Sequence, residues 1–91
     1  MVANTQTTIW HRLIETEKPD LLPEAARTIL NWDFRRQDHE RMAELAAKAQ
    51  EGTLLPDEQV EAEEYRRAAD FLAMLQSKAR RSLQHHGVHA G

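Results

Sequence analysis

The sequence predicts an all-α protein in which three short helices pack on one long C-terminal helix, a helical bundle expected to pair as a homodimer. Three observations carry this prediction. Three Gly, three Pro and 5% aromatic residues in a chain of 91 suit helices and disfavour sheets, and with them most enzyme folds. Apolar residues recur at i, i+3, i+4 and i+7 through most of the chain, the spacing of one helical face. The few breakers fall between the periodic stretches, where they delimit helices without interrupting them.

Residues 1–7 are polar without periodicity and are expected to be disordered. Thr8 is a plausible N-cap for a first helix, with Ile9, Trp10, Leu13 and Ile14 on one side before the break at Lys18-Pro19-Asp20. The second helix starts at Leu21-Leu22-Pro23-Glu24. Proline suits the first helical position because its missing N–H has no intrahelical partner there, and glutamate complements the positive helix end. Ala26, Ile29 and Leu30 form its buried face, and Trp32 and Phe34, around Asp33, are expected to act as a hydrophobic plug at the corner that follows.

The third helix is predicted over Arg36–Glu51, with Met42, Leu45, Ala46 and Ala49 as its apolar face and Glu44–Lys48 as an i, i+4 pair on the wet side. Gly52 stops it, because glycine readily takes the left-handed conformation that closes a helix. Leu54-Leu55-Pro56-Asp57-Glu58 then repeats the proline-acid start. Beyond that tetrad the two halves share no apolar register, so the repetition is a reused start signal and not a solenoid. No breaker follows until Gly87, which predicts a fourth helix of about 29 residues, roughly 43 Å long at 1.5 Å per residue. Tyr65, Ala68, Ala69, Leu72, Leu75, Ala79 and Leu83 share one face of it, while Phe71 and Met74 point elsewhere. A helix with two apolar faces needs cover on both. Symmetric pairing is the expected solution, with Tyr65, Phe71, Met74 and Leu75 as candidate interface residues. One domain is expected over 8–85, with a flexible tail over 86–91.

Charge is distributed unevenly. Residues 1–65 hold seven Lys and Arg against fourteen Asp and Glu, a balance of −7, and residues 66–91 hold five against one, a balance of +4. The basic end complements the negative terminus of the helix dipole. It also offers Lys78, Arg80 and Arg81 as candidate nucleic-acid contacts, although no aromatic residues interleave with them for stacking on bases.

The residues needed for chemistry are missing. There is no cysteine, no glycine-rich phosphate loop and no Ser–His register on the long helix, so the chain is not expected to be an enzyme or to carry a cofactor. Five histidines include His85, His86 and His89, but Gly87 and Val88 would hold them poorly, and no metal site is expected. His39 lies between Asp38 and Glu40, side chains that diverge from it on a helix, and His11 flanks the first apolar stripe. Glu58, Glu61, Glu63 and Glu64 beside Arg66 and Arg67 suggest a solvated helix face. With no apolar run of membrane-spanning length and no secretory leader at the start, the chain is expected to be cytoplasmic and not to bind a membrane.

Three stretches, LLPEAARTIL at 21–30, DHERMAELAAKAQEGTL at 38–54 and MLQSKARRSL at 74–83, resemble a family of short bacterial helical proteins. In that family's pattern a Ser or Thr precedes each helix-starting proline and a proline follows the Asp-Phe corner; Leu22, Leu55 and Arg35 stand at those places here. The resemblance implies an α-helical fold and an association with genes beside small HNH-type nucleases. It therefore implies an antitoxin-like or nuclease-accessory role; for that role the −7 balance of residues 1–65 suggests charge mimicry, the acidic body covering a basic nuclease surface through Glu58, Glu61 and Glu64. It assigns no catalytic residue. The expected function is thus a small protein-interaction or regulatory module that binds another protein, with a nucleic-acid-binding regulator as the alternative.

Overall fold

In the computed structural model residues 9 and 12–87 are described, and among them every regular element is helical. The Thr8 cap, Trp10, His11 and His89, together with the expected disorder over 1–7, lie outside the described residues, as does the tail from 88 onward. Helix α1 is seen at residues 9 and 12–14. It is followed by α2 (Pro23–Leu30), α3 (Arg36–Glu51) and α4 (Pro56–His85), the last 30 residues long. Among the described residues, no helix is long and apolar enough to cross a membrane. The described residues pack as two compact units. Described residues up to Asn31 and from Ala73 onward form the first, and Trp32–Leu72 form the second. Helix α4 contributes its first part to one and its last part to the other.

In the first unit, α2 begins with Pro23 at its first position and ends at Asn31, whose N–H reaches back to the carbonyls of Arg27 and Thr28. Its buried contact with the end of α4 is made by small residues. Ala26, Ala79 and Leu83 are fully buried together, with Leu21, Ile29 and Leu30 half-buried against them. Full burial of a leucine side chain such as Leu83 contributes about 1.5–3 kcal/mol. Of the apolar stripe expected for α1, Ile9 and Leu13 are exposed at 47% and 69%, and Ile14 is half-buried. Three polar side chains of α4 bond the neighbouring backbone. Lys78 donates from Nζ to the carbonyls of Ile14 (2.9 Å) and Glu15 (3.0 Å) and pairs with Asp20 Oδ1 at 2.6 Å. Gln76 Nε2 donates to the Ile29 carbonyl at 3.1 Å. The fully buried Ser82 Oγ accepts the Leu21 N–H at 3.2 Å.

The second unit is an α3–α4 hairpin. Gly52, at φ 73°, ψ 25°, closes α3, with its own N–H on the Ala49 carbonyl and the Thr53 N–H on Lys48 O. These two bonds form the paired closure that only a left-handed residue at this point permits. At the start of α4, Glu58 reaches back from the third helical position and its Oε1 accepts the Leu55 N–H at 3.1 Å. That is half of a capping box; the missing half is a side-chain hydroxyl at Leu55. The corner before α3 also differs from expectation. Trp32 is 49% exposed and does not plug it. Phe34 does, edge-on to Tyr65 (6.2 Å between centroids) and His39 (5.9 Å). The Asp33 carboxylate accepts the Phe34 N–H and bonds His39 Nε2 at 3.0 Å, which turns the chain into the helix.

Candidate interaction site

Ion pairs and hydrogen bonds link the two helices of the hairpin around the buried Leu45. Arg41 on α3 grips Glu61 on α4 with two parallel bonds, Nε to Oε2 at 2.9 Å and Nη2 to Oε1 at 2.7 Å. Its Nη1 takes Glu44 at 3.0 Å, and Nη2 lies 3.5 Å from Glu58. Lys48 reaches Glu58 at 2.7 Å. One helical turn away, the Tyr65 hydroxyl donates to Asp38 Oδ1 at 2.8 Å. The fork geometry of guanidinium is what allows one Arg41 to hold a carboxylate squarely across two helices. These contacts overturn the expected Glu44–Lys48 pair: Glu44 goes to Arg41 and Lys48 crosses to Glu58.

The network sets the protonation of its members. The Lys48 ammonium, helped by the Leu55 N–H, holds the Glu58 carboxyl below the usual range, and the Arg41 guanidinium does the same to Glu61. Arg41 is held more firmly protonated by Glu61 and Glu44 in return. The bond to Asp38, with its negative charge, raises the Tyr65 hydroxyl.

On one side of this clasp the helices leave an open groove of about 260 Å³, lined by Met42, Leu45, Ala46, Ala49, Ala62, Tyr65, Arg66 and Ala69. Of the whole hairpin, Trp32–Leu72, only Leu45 is buried, at 2% exposure. The apolar face predicted for α3 is therefore real in spacing but half uncovered, since Ala46 and Ala49 are exposed. Arg66 lies at the groove, paired with Glu63 at 2.8 Å and largely open to solvent.

Of the candidate interface residues, Tyr65 lines the groove, and Phe71, Met74 and Leu75 are each half-buried along α4. The basic cluster is divided. Lys78 turns inward, with its side chain 5% exposed and its ammonium held by two carbonyls and Asp20, because burial of a cation demands that its donors be filled. Arg81 donates to the Thr16 carbonyl at 3.1 Å yet stays exposed, as does Arg80. Among the acids named for charge mimicry, Glu58 and Glu61 are committed to Lys48 and Arg41, and Glu64 is exposed. The groove itself was hidden in the sequence, although its alanines at 46, 49, 62 and 69 could have signalled it by their helical spacing.

Among the described residues, no group of three or more His, Asp or Glu side chains is placed to hold a metal ion. His85 and His86 stack edge to face, 5.6 Å apart. No protein family, curated protein or solved structure matches the chain.

Proposed function

We propose that the protein is a helical interaction module whose working surface is the groove between α3 and α4. The observation that carries the reading is the groove's construction: an apolar floor of Met42, four alanines and Leu45, the last being the single buried residue of the hairpin. Small side chains let a third helix approach the backbone closely, and Met and Tyr at the edges supply adaptable and aromatic contacts of the kind favoured at interfaces. Recognition of this type is helix-in-groove, read by residues one turn apart on the visitor.

The resemblance to proteins encoded beside HNH-type nucleases makes a nuclease the class of target in an antitoxin-like or accessory role. Eleven acidic against six basic residues over 32–72 support contact with a basic surface. That contact would run through Glu64 and the other exposed acids Glu40, Glu51 and Asp57, since Glu58 and Glu61 are already bound. The nucleic-acid alternative loses support from the inward Lys78.

The test compares immobilised wild-type chain with Ala49→Glu, applied to extract of the native host at moderate salt, with helicity of both checked by circular dichroism. A protein held by the wild type and released by Ala49→Glu is the expected result. Equal retention by both would place the contact outside the groove and overturn the reading.

A further inference from the structure

The geometry points to a second, polar cleft on the hairpin as a site for the guanidinium of an arginine carried in a peptide chain. The cleft has a volume of about 380 Å³ and is lined by the Phe34 and Tyr65 rings, the Asp38, Glu61 and Glu64 carboxylates and Ala68. It shares only Tyr65 with the alanine groove and does not depend on it. Local sequence builds it. Glu61, Glu64, Tyr65 and Ala68 stand at i, i+3, i+4 and i+7 and so fall on one face of α4. Asp38 is in the first turn of α3, and the bonds of Asp33 at the corner bring Phe34 edge-on to Tyr65. The volume is that of a small-ligand site and suits a single long side chain.

Charge decides the class of ligand. Arg41 bonds both oxygens of Glu61 and neutralises it. Asp38 gives Oδ1 to the Tyr65 hydroxyl, and among the described residues none pairs with the exposed Glu64. Two carboxylate charges therefore remain beside two aromatic rings. The Tyr65 hydroxyl registers them: its bond to Asp38, its burial and the charges of Asp38 and Glu61 raise it in spite of Arg41. Carboxylates and ring faces both attract a cation. A metal ion fits poorly, because it needs several oxygens converging on one point, and no such group of acids exists among the described residues. Guanidinium fits better than ammonium. It is flat and weakly hydrated, and it can stack on a ring while its fork holds a carboxylate. Free arginine would bring its own carboxylate into a negative cleft, so the arginine that fits is one whose ends are closed in peptide bonds.

The test is a nuclear magnetic resonance titration of the full-length chain at low salt with N-acetyl-arginine N′-methylamide, an arginine with both ends blocked. Saturable shifts at Phe34, Tyr65 and Glu64 are expected. Glu64→Gln should weaken binding about two- to five-fold. Glu40→Gln should leave it unchanged, since Glu40 is an exposed acid of α3 outside the cleft lining. Blocked citrulline, the uncharged isostere, should not bind, and blocked lysine and free arginine should bind more weakly than blocked arginine. Shifts that do not saturate, equal binding of citrulline or lysine, or a Glu64→Gln that behaves as Glu40→Gln overturns the site. Tighter binding of free arginine would assign the cleft to a small molecule and overturn the peptide-borne ligand. Ala49→Glu should bind blocked arginine as wild type does. If blocked arginine fails to bind while Ala49→Glu still releases a partner from host extract, the cleft falls and the groove stands.

Discussion

The ammonium of Lys78 is the group whose placement says most about how single residues work in this chain. A buried cation is tolerated only when its donors are filled, and here Ile14 and Glu15 carbonyls at the end of α1 and the Asp20 carboxylate fill them. Glu15 adopts φ 54°, a left-handed turn that brings its carbonyl round to Nζ. Lys78→Met keeps the stem but removes the donors, and should destabilise the first unit by about 1.5–3 kcal/mol. Urea denaturation followed by circular dichroism reads this; an unchanged midpoint would mean that water replaces the ammonium without cost. Leu83→Ala empties the centre of the same unit, where Leu83 is fully buried, and should cost about 2–5 kcal/mol in the same measurement. Neither role could be told from composition. Lys78 looks like one of three surface cations when only its neighbours Arg80 and Arg81 are read, because periodicity reports which face a residue occupies and not what backbone that face meets.

At the scale of elements, helix ends were the most legible features. Pro23, Pro56 and Gly52 begin and end helices where local stereochemistry alone requires it, and α3 runs over Arg36–Glu51 as the sequence predicts. Gly52→Ala places a Cβ on a left-handed residue with φ 73° and should lower stability by about 1 kcal/mol, although nothing lies within 4 Å to clash with it. The thermal midpoint is the readout, and no change would show that the turn relaxes to another conformation. The opposite sign is expected at α4. Leu55 is 60% exposed and stands at the cap position with Glu58 already reaching back to its N–H. Leu55→Ser completes the reciprocal pair and should raise stability by about 0.5–1 kcal/mol, read as a higher thermal midpoint. Less legible was the corner, where Phe34 packs and Trp32 does not. Both are large and apolar, and only the direction of the chain at Asp33 separates them.

For the molecule as a whole, charge has been arranged into contacts in both units, and pH should reveal it. Glu58 and Glu61 in the hairpin, and Asp20 beside Lys78, all have folded-state carboxyls lowered by their cationic partners. A lowered carboxyl adds stability that is fully present above its unfolded value, about 4 for these groups, and is lost as pH falls through the folded value. The melting temperature should therefore be level near neutrality and drop in acid, and Glu58→Gln with Glu61→Gln should flatten that drop. On the alkaline side Tyr65 is raised by Asp38, so its contribution is present below its unfolded value of about 10 and disappears as pH climbs through the folded one. Tyr65→Phe should remove that alkaline loss; if the profile of the variant matched wild type, the Tyr65–Asp38 bond would have no part in it.

What the sequence determined by itself was local: the all-helical class, the helix boundaries, the length of α4 and the spacing of apolar faces. Each follows from backbone stereochemistry and periodicity within a few turns. What only the tertiary structure decided was partnership across distance. It committed Arg41 to Glu61 and Lys48 to Glu58, turned Lys78 inward, and left the alanine groove of α3 and α4 uncovered. Residues ten to about sixty positions apart meet only after the helices have packed. A charged side chain carries the same letter whether it faces water or a carbonyl, so its partner had to be found in space.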